Sequence, residues 1–335
     1  MGALDAMLAM INGAVSKFLL TLAVGMAVLF GLYQYQQHPD EIARLPVIKE
    51  LAHTFQQLSA PLTTSSLSSF YSLGVSQSSI YSSQLYNSGG QLIIPSSWHA
   101  DSIINKLQFS KSKLRQAKKY VAYIEQYKAI ALRDMHLHKV PASIKLAQGL
   151  LESGAGASEL STQTNNHFGI KARPNSSARA KIKSRQYEQL RNEEFLSSGP
   201  AIGAMRFTDD HTYDRFEVYK NAGDSYHRHT QLLTRPCKAG RKGCYSWIWD
   251  EFKVGKDYDI TPAAELHYRA SGIPAATFFK GRTQLPYYAA CAAGLKMAGY
   301  ATSPTYHKKL TYIIETYELW RFDVDLIKAM EQIMK

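Results

Sequence analysis

Apolar residues recur at helical spacing in two neighbouring stretches of this chain. Across residues 117–135, Tyr120, Ile124, Tyr127 and Ile130 form one stripe while Lys118, Glu125 and Lys128 fall off it, which predicts an amphipathic helix. In the second stretch Ile144, Ala147, Leu150 and Leu151 recur behind Pro141, a residue suited to a first helical turn, and Gly154 and Gly156 close the pattern. Glu152 is the lone carboxylate at the end of that helix. A mixed stretch over residues 168–219 is expected to hold a hairpin, and helical patterns continue to the C-terminus. Helices around a small sheet give an α+β fold class. No internal repeat is evident.

Upstream the pattern changes. Residues 18–37 carry no charge, and 18–35 are dominated by Leu, Val, Ala, Met, Phe and Gly; at 1.5 Å per residue that run reaches about 27 Å, close to a bilayer's hydrocarbon core. One transmembrane helix is predicted, with Tyr33 and Tyr35 at an interface. No small-residue cleavage site follows, so an uncleaved anchor is expected. Lys17 on one side and Arg44 and Lys49 on the other leave its orientation unset by charge. Between Glu50 and Asp101 there is no Asp, Glu, Lys or Arg, and serine dominates, as in a linker. The expected organisation is an anchor over 1–37, a Ser-rich linker and lead-in helix over 38–116, and a folded domain over 117–325.

The chain has 335 residues, of which 45% are hydrophobic, enough for one sizeable core plus appendages. Its net charge of +12 favours acidic partners: anionic lipid, nucleic acid, or a cell-wall polymer carrying carboxylates. No nucleic-acid module with its defining spacing is present, so nucleic acid is not expected as a partner. Of three cysteines, Cys237 and Cys244 bracket a short basic loop with two glycines. In an oxidising compartment they could close a disulfide worth about 2–3 kcal/mol, with Cys291 left as a packed thiol; the alternative is two unpaired thiols. No further Cys or His pair follows at zinc-site spacing, so no metal is expected.

Glu152 sits where a general acid can be made. A carboxylate in a last helical turn faces the negative end of the helix dipole and loses water if half buried; both effects raise its pKa, as a proton donor at neutral pH requires. Position alone does not establish catalysis, because most helix-terminal glutamates are simply solvated.

The run Pro141, Ser143, Leu146, Ala147, Gln148, Leu151, Glu152, Ser153, Gly154 and Gly156, read with Asn165-Asn-His-Phe-Gly-Ile-Lys171 and Ala298-Gly-Tyr-Ala-Thr-Ser-Pro-Thr-Tyr306, resembles the glucosaminidase family of bacterial cell-wall hydrolases, glycoside hydrolase family 73. The resemblance covers residues 123–171, 205–233 and 287–323. It implies a lysozyme-like, mostly helical domain with a small β-hairpin lobe. The implied activity is that of an endo-β-N-acetylglucosaminidase cutting the N-acetylglucosaminyl-β-1,4-N-acetylmuramyl bond of peptidoglycan, without metal or organic cofactor. Glu152 would be the general acid. For the opposite face of the sugar the candidates are Asp209 and Asp210, with Glu188 as a rival and the substrate's own 2-acetamido group as a third route. Tyr300 matches a tyrosine placed beside the scissile sugar. Asn166, Phe168 and Tyr306 are the substrate-binding candidates, Asn166 by orienting the loop after the acid and Phe168 by offering a stacking face. His229 is expected to be a packed, structural histidine.

The chain departs from the family pattern in places. Ala155 stands where many members carry Trp, and Thr302-Ser303-Pro304 replaces a Thr-Asp-Pro whose carboxylate would cap a helix, a task open to serine as well. Inserts interrupt the pattern near 172–202 and 235–285, the second holding the cysteine pair and Tyr245-Ser-Trp-Ile-Trp249. Anchor and resemblance together imply a single-pass protein of the inner membrane, its hydrolase domain in the periplasm or outside the cell, acting on glycan strands and open to an envelope protein complex. The rival reading is a non-catalytic, murein-binding scaffold component of an envelope-spanning machine.

Overall fold

A computed structural model describes Leu85, residues 94–238 and residues 240–333, all within the compact unit Gln77–Lys335. The expected membrane helix and most of the Ser-rich linker lie outside the described residues. Among the described residues no helix is long and apolar enough to cross a membrane.

Helix α1 (Ala100–Lys106) leads into α2 (Lys111–His138), which contains the helix expected over 117–135. The buried positions of α2 include Ala117, Val121, Ile124, Ala131 and Met135, whereas Tyr120, Tyr127 and Ile130 are only half-buried. The inward stripe is thus rotated from the one the pattern suggested, because α2 is packed on several sides by neighbours that include α1 and the glutamate helix α3 (Ala142–Ser153). That helix is more than amphipathic: residues 142–150 are all buried, including Ser143, Lys145 and Gln148. Gly149 lets two tyrosines close on it, since a Cβ there would lie 2.5 Å from Tyr123 Oη and 2.7 Å from Tyr226 Oη. Gly154, at φ +58°, ends the helix in the left-handed region, where glycine carries no steric cost.

Next comes α4 (Glu159–Thr164), capped by the Ser158 side chain accepting from Ser161 N. The first insert is a satellite lobe. Its strands β1 (Arg173–Pro174) and β2 (Phe195–Leu196) pair antiparallel around α5 (Ser176–Lys183), over a small core of Ala172, Ala178, Leu190 and Phe195. The expected hairpin follows as β3 (Gly203–Arg206) against β4 (Arg215–Val218), in the register Gly203↔Val218 to Arg206↔Arg215. Helix α6 (Ala222–Thr234) starts at Asn221, whose side chain caps Asp224 N.

The second insert joins the main core. It comprises α7 (Ser246–Glu251), β5 (Asp257–Asp259), α8 (Thr261–Leu266), α9 (Tyr268–Ser271), α10 (Ala275–Phe278) and β6 (Gln284–Pro286), with Ile248, Trp249, Phe252 and Phe278 buried. Strands β5 and β6 form a third two-stranded antiparallel sheet. Helices α11 (Tyr287–Met297), α12 (Tyr306–Thr316) and α13 (Trp320–Ile333) complete the body, and all three pack on α3. The result is a mostly helical domain with small antiparallel hairpins.

The extent of the packed body and the start of α12 differ from the sequence reading, and the cysteine pairing agrees with it. The packed body begins well before residue 117, because Trp98 is 2% exposed, packs at a tilt against Phe322 with ring centroids 5.0 Å apart and donates Nε1 to the Tyr317 carbonyl at 2.7 Å; at the other end α13 runs past 325 to Ile333. Ser303 does not cap α12 through its side chain: Thr305 holds the N-cap position without a side-chain bond, and Ser303 offers only its carbonyl to Tyr306 N at 3.3 Å. Asp323, fully buried, instead serves the start of α3, accepting from Ser143 N at 2.9 Å, from Ser143 Oγ, and from Tyr287 Oη at 2.8 Å. Cys237 and Cys244 are joined in a disulfide with Cα atoms 5.7 Å apart, and Cys291 is a buried free thiol.

Candidate active site

The C-terminal end of α3 opens onto a cleft of about 560 Å³, walled by the loop after α4, the β3–β4 hairpin and the turn between α11 and α12. Glu152 reaches it from the last turn of its helix. The carboxylate stays accessible to solvent at the cleft surface while the walls crowd it with protein atoms, and that loss of water pushes its pKa up. A hydrogen bond from Tyr306 Oη to Oε1 at 2.8 Å and the Lys309 charge pull the other way without reversing the shift. Tyr306 itself is buried, accepts from Gln148 Nε2 at 3.0 Å and is not among the cleft-lining residues. Its hydroxyl contacts the acid itself.

Asp209 lines the same cleft from the hairpin loop, and among the described lining residues Glu152 and Asp209 are the carboxylates. Lys171 gathers the loop: its Nζ lies 2.9 Å from Asp209, 2.8 Å from Asp210 and 2.9 Å from Asp214. Partial desolvation lowers the lysine's pKa, but the three carboxylates outweigh it and raise it overall; the same pairing draws Asp210 down. The three aspartates converge closely enough to suggest a cation site, yet their shared cation is this ammonium. Asp210 is the most exposed of the trio and does not line the cleft. Glu188 lies in a separate polar depression with Lys181, Glu193 and Glu194, in the satellite lobe.

Tyr300 lines the cleft, and its Oη is 2.8 Å from His229 Nε2. Behind it runs a buried polar chain. Lys145, with no exposed surface, spends its three N–H groups on the Tyr226 carbonyl at 2.7 Å, Thr230 Oγ1 at 2.8 Å and His229 Nδ1 at 3.2 Å, with Asp134 ion-paired at 3.3 Å. Burial lowers the Lys145 pKa to about 8, against the pull of Asp134, so the ammonium persists at neutral pH. Burial likewise drives His229 well below its ordinary value, so the ring is neutral. A neutral ring that accepts at Nδ1 carries its hydrogen on Nε2 and donates to Tyr300 Oη, which leaves the phenol proton free to point into the cleft. His229 is packed, as expected, yet it is also the link between a buried lysine and a cleft tyrosine.

Phe168 reaches the cleft only at the rim of its ring, since it is 5% exposed and one face lies flat on His229 at 3.9 Å. Asn166 does not face the cleft. It is 1% exposed and directs its amide inward, Nδ2 to the Ile170 and Glu217 carbonyls and Oδ1 to Ile170 N, clamping the loop onto β4. A polar side chain buried that deeply is held by its own hydrogen bonds, and Asn166 orients the loop after the acid without lining the cleft. Residues not singled out from sequence are also prominent here. Lys171 closes the Asn165–Lys171 motif and gathers three aspartates of the hairpin loop. Arg228 lines the cleft and pairs with buried Glu217 at 3.1 Å, which also accepts from Tyr219 Oη at 2.6 Å. An acid and a base at these spacings, one on a strand and one on a helix, gave no periodic signal.

The sequence profile described as "Glucosaminidase: Mannosyl-glycoprotein endo-beta-N-acetylglucosaminidase" matches residues 128–319. This span takes in α3, the hairpin and the α11–α12 turn, and so all the cleft elements just described. The chain therefore belongs to the glucosaminidase family of peptidoglycan hydrolases, and it is a glycoside hydrolase. Among solved structures it is similar to the catalytic domain of the autolysin Auto from Listeria monocytogenes, at 20% identity over 67% of this chain and 94% of that one, with a TM-score of 0.35. It is also similar to a C-terminally truncated glycoside hydrolase domain of FlgJ from Salmonella typhimurium, at 22% identity over 59% and 96%, TM-score 0.32. A type VI secretion system effector–immunity complex from Pseudomonas protegens matches at 12% identity over 65% and 96%, TM-score 0.34. No curated protein matches the chain.

Proposed function

We propose that this enzyme cleaves the N-acetylglucosaminyl-β-1,4-N-acetylmuramyl bond of peptidoglycan with Glu152 as general acid and Asp209 on the opposite face of the sugar. The observation that carries this reading is the sharing of one cleft by those two carboxylates in different surroundings, Glu152 crowded and raised, Asp209 beside the Lys171 ammonium. Protonated Glu152 gives its proton to the glycosidic oxygen as the bond to the anomeric carbon breaks. On the other side a water adds its oxygen to the anomeric carbon and gives its proton to the Asp209 carboxylate, while the Tyr300 hydroxyl, its oxygen already engaged by His229, donates to the acetamido group. Because the amide keeps the shape but cannot donate the proton, Glu152→Gln is expected to fold normally and lose at least about 10²-fold in release of reducing ends from purified peptidoglycan. Activity within a few-fold of wild type would instead favour the murein-binding scaffold.

The apolar run 18–35 supports a single-pass anchor in the inner membrane, with the hydrolase domain on the periplasmic or outer side, where a disulfide and this substrate are both found. Removal of residues 1–37 is expected to turn a membrane-pelleting protein into a soluble one of unchanged specific activity. A truncated protein that still pellets with membranes would overturn the anchor.

A further inference from the structure

We propose that the disulfide-closed basic loop of residues 235–244 is a subsite for the carboxylates of the peptide stems carried by the glycan, so that peptide-bearing strands are taken in preference to bare glycan. This rests on the peptidoglycan reading above and adds a specificity element to the same cleft.

The loop is cationic without compensation. Arg235, Lys238, Arg241 and Lys242 are exposed, no acidic residue occurs between positions 235 and 244, and among the described residues none of the four has a carboxylate partner. Lys171, Lys181 and Arg228 differ in this respect, each being ion-paired within the protein. The described residues of the loop are also tied to the domain at its C-terminal end. The Cys237–Cys244 bond closes it, Gly243 N donates to the Ala298 carbonyl at 2.7 Å, and Trp247 Nε1 donates to the Cys244 carbonyl at 2.9 Å.

Its position gives the charge a use. The methylenes of Lys242 lie over Gly299, so close that a Cβ there would stand 3.0 Å from Lys242 Cγ. The next two residues, Tyr300 and Ala301, line the cleft, and so does Tyr245, which follows Cys244 and meets the Tyr300 ring edge-on at 5.5 Å. Arg235, Arg241 and Lys242 surround a concavity of about 260 Å³. A strand seated in the cleft carries an acidic peptide on alternate sugars, so its carboxylates are delivered to this rim tethered, at an effective concentration far above that of free anions. Guanidinium groups match a carboxylate in two parallel hydrogen bonds, and exposed cations act over about 10 Å at ordinary ionic strength.

The test compares sacculus fragments with the same glycan after its peptides have been removed by an amidase, for wild type and for the double variant Arg241→Gln, Lys242→Gln. Wild type is expected to show a kcat/KM roughly five- to tenfold higher on peptide-bearing strands, a preference that disappears in about 0.5 M salt and in the double variant at any salt. Binding of the same two polymers to the Glu152→Gln protein is expected to show the same preference without turnover. If wild type cuts neither polymer, the hydrolase reading fails, and the binding comparison still decides this proposal. Equal binding of both polymers, or a double variant that keeps the preference, overturns it. So does a double variant whose only loss is binding to vesicles of anionic phospholipid, which would make the loop a membrane contact.

Discussion

The Tyr306 hydroxyl donates to Oε1 of Glu152 at 2.8 Å while accepting from Gln148 Nε2, so the proposed acid is held by a residue from α12, 154 positions away in the chain. This bond favours the ionised carboxylate and opposes the upward push of lost hydration.

Removing the bond gives a signed pH effect. A general acid works only while protonated, so the alkaline limb of kcat/KM follows the Glu152 pKa. Tyr306→Phe deletes a donor to the ionised form, which raises that pKa and moves the alkaline limb to higher pH, while the rate at the optimum falls by only about fivefold, the worth of one positioning hydrogen bond. A pH–rate profile on soluble glycan checks it. A limb displaced to lower pH would mean that the tyrosine stabilises the protonated acid instead.

Neighbouring aspartates should separate sharply. Asp209 lines the cleft and Asp210 does not, although both sit on Lys171. Asp209→Asn is expected to lower kcat by about 10²-fold or more, whereas Asp210→Asn, which gives up one exposed ion pair, stays within about threefold. Initial rates of the two purified variants decide between them, and the reverse order would transfer the role to Asp210. If neither variant is impaired, the substrate's own acetamido group becomes the better reading.

Asp323 offers a stability test away from the cleft. Asp323→Ala strands Ser143 N, Ser143 Oγ and Tyr287 Oη in the core and should cost about 3 kcal/mol, whereas Tyr287→Phe, which leaves both Ser143 bonds, costs about 1 kcal/mol. Desolvation raises the Asp323 pKa to about 6 from an ordinary 3.8. The folded state therefore binds this proton more tightly than the unfolded chain, and the resulting stability is fully present below about pH 4 and lost as the pH rises through about 6. Urea denaturation should show a wider gap between wild type and Asp323→Ala at pH 4 than at pH 7. A gap that widens with pH would mean that the buried group is held as the carboxylate.

Local pattern was enough to find the glutamate helix and its end. The positions that set those features, Pro141, the apolar repeat and Gly154, act through backbone geometry and burial within a few residues of one another. The hairpin was legible for a similar reason, as was the chance that Cys237 and Cys244, seven apart, could meet. Tertiary structure decided what lies between distant segments. It buried α3 from Ala142 through Leu150, so that Ser143, Lys145 and Gln148 became the internal partners of Asp323, His229 and Tyr306. It also turned Asn166 inward, made Lys171 the counter-charge for three aspartates, and put Asp209 rather than Glu188 in the cleft with Glu152. Helical and strand periods record which side of an element avoids water. Hydrogen bonds and ion pairs between segments depend on three-dimensional distance, and residue spacing along the chain carries no record of it.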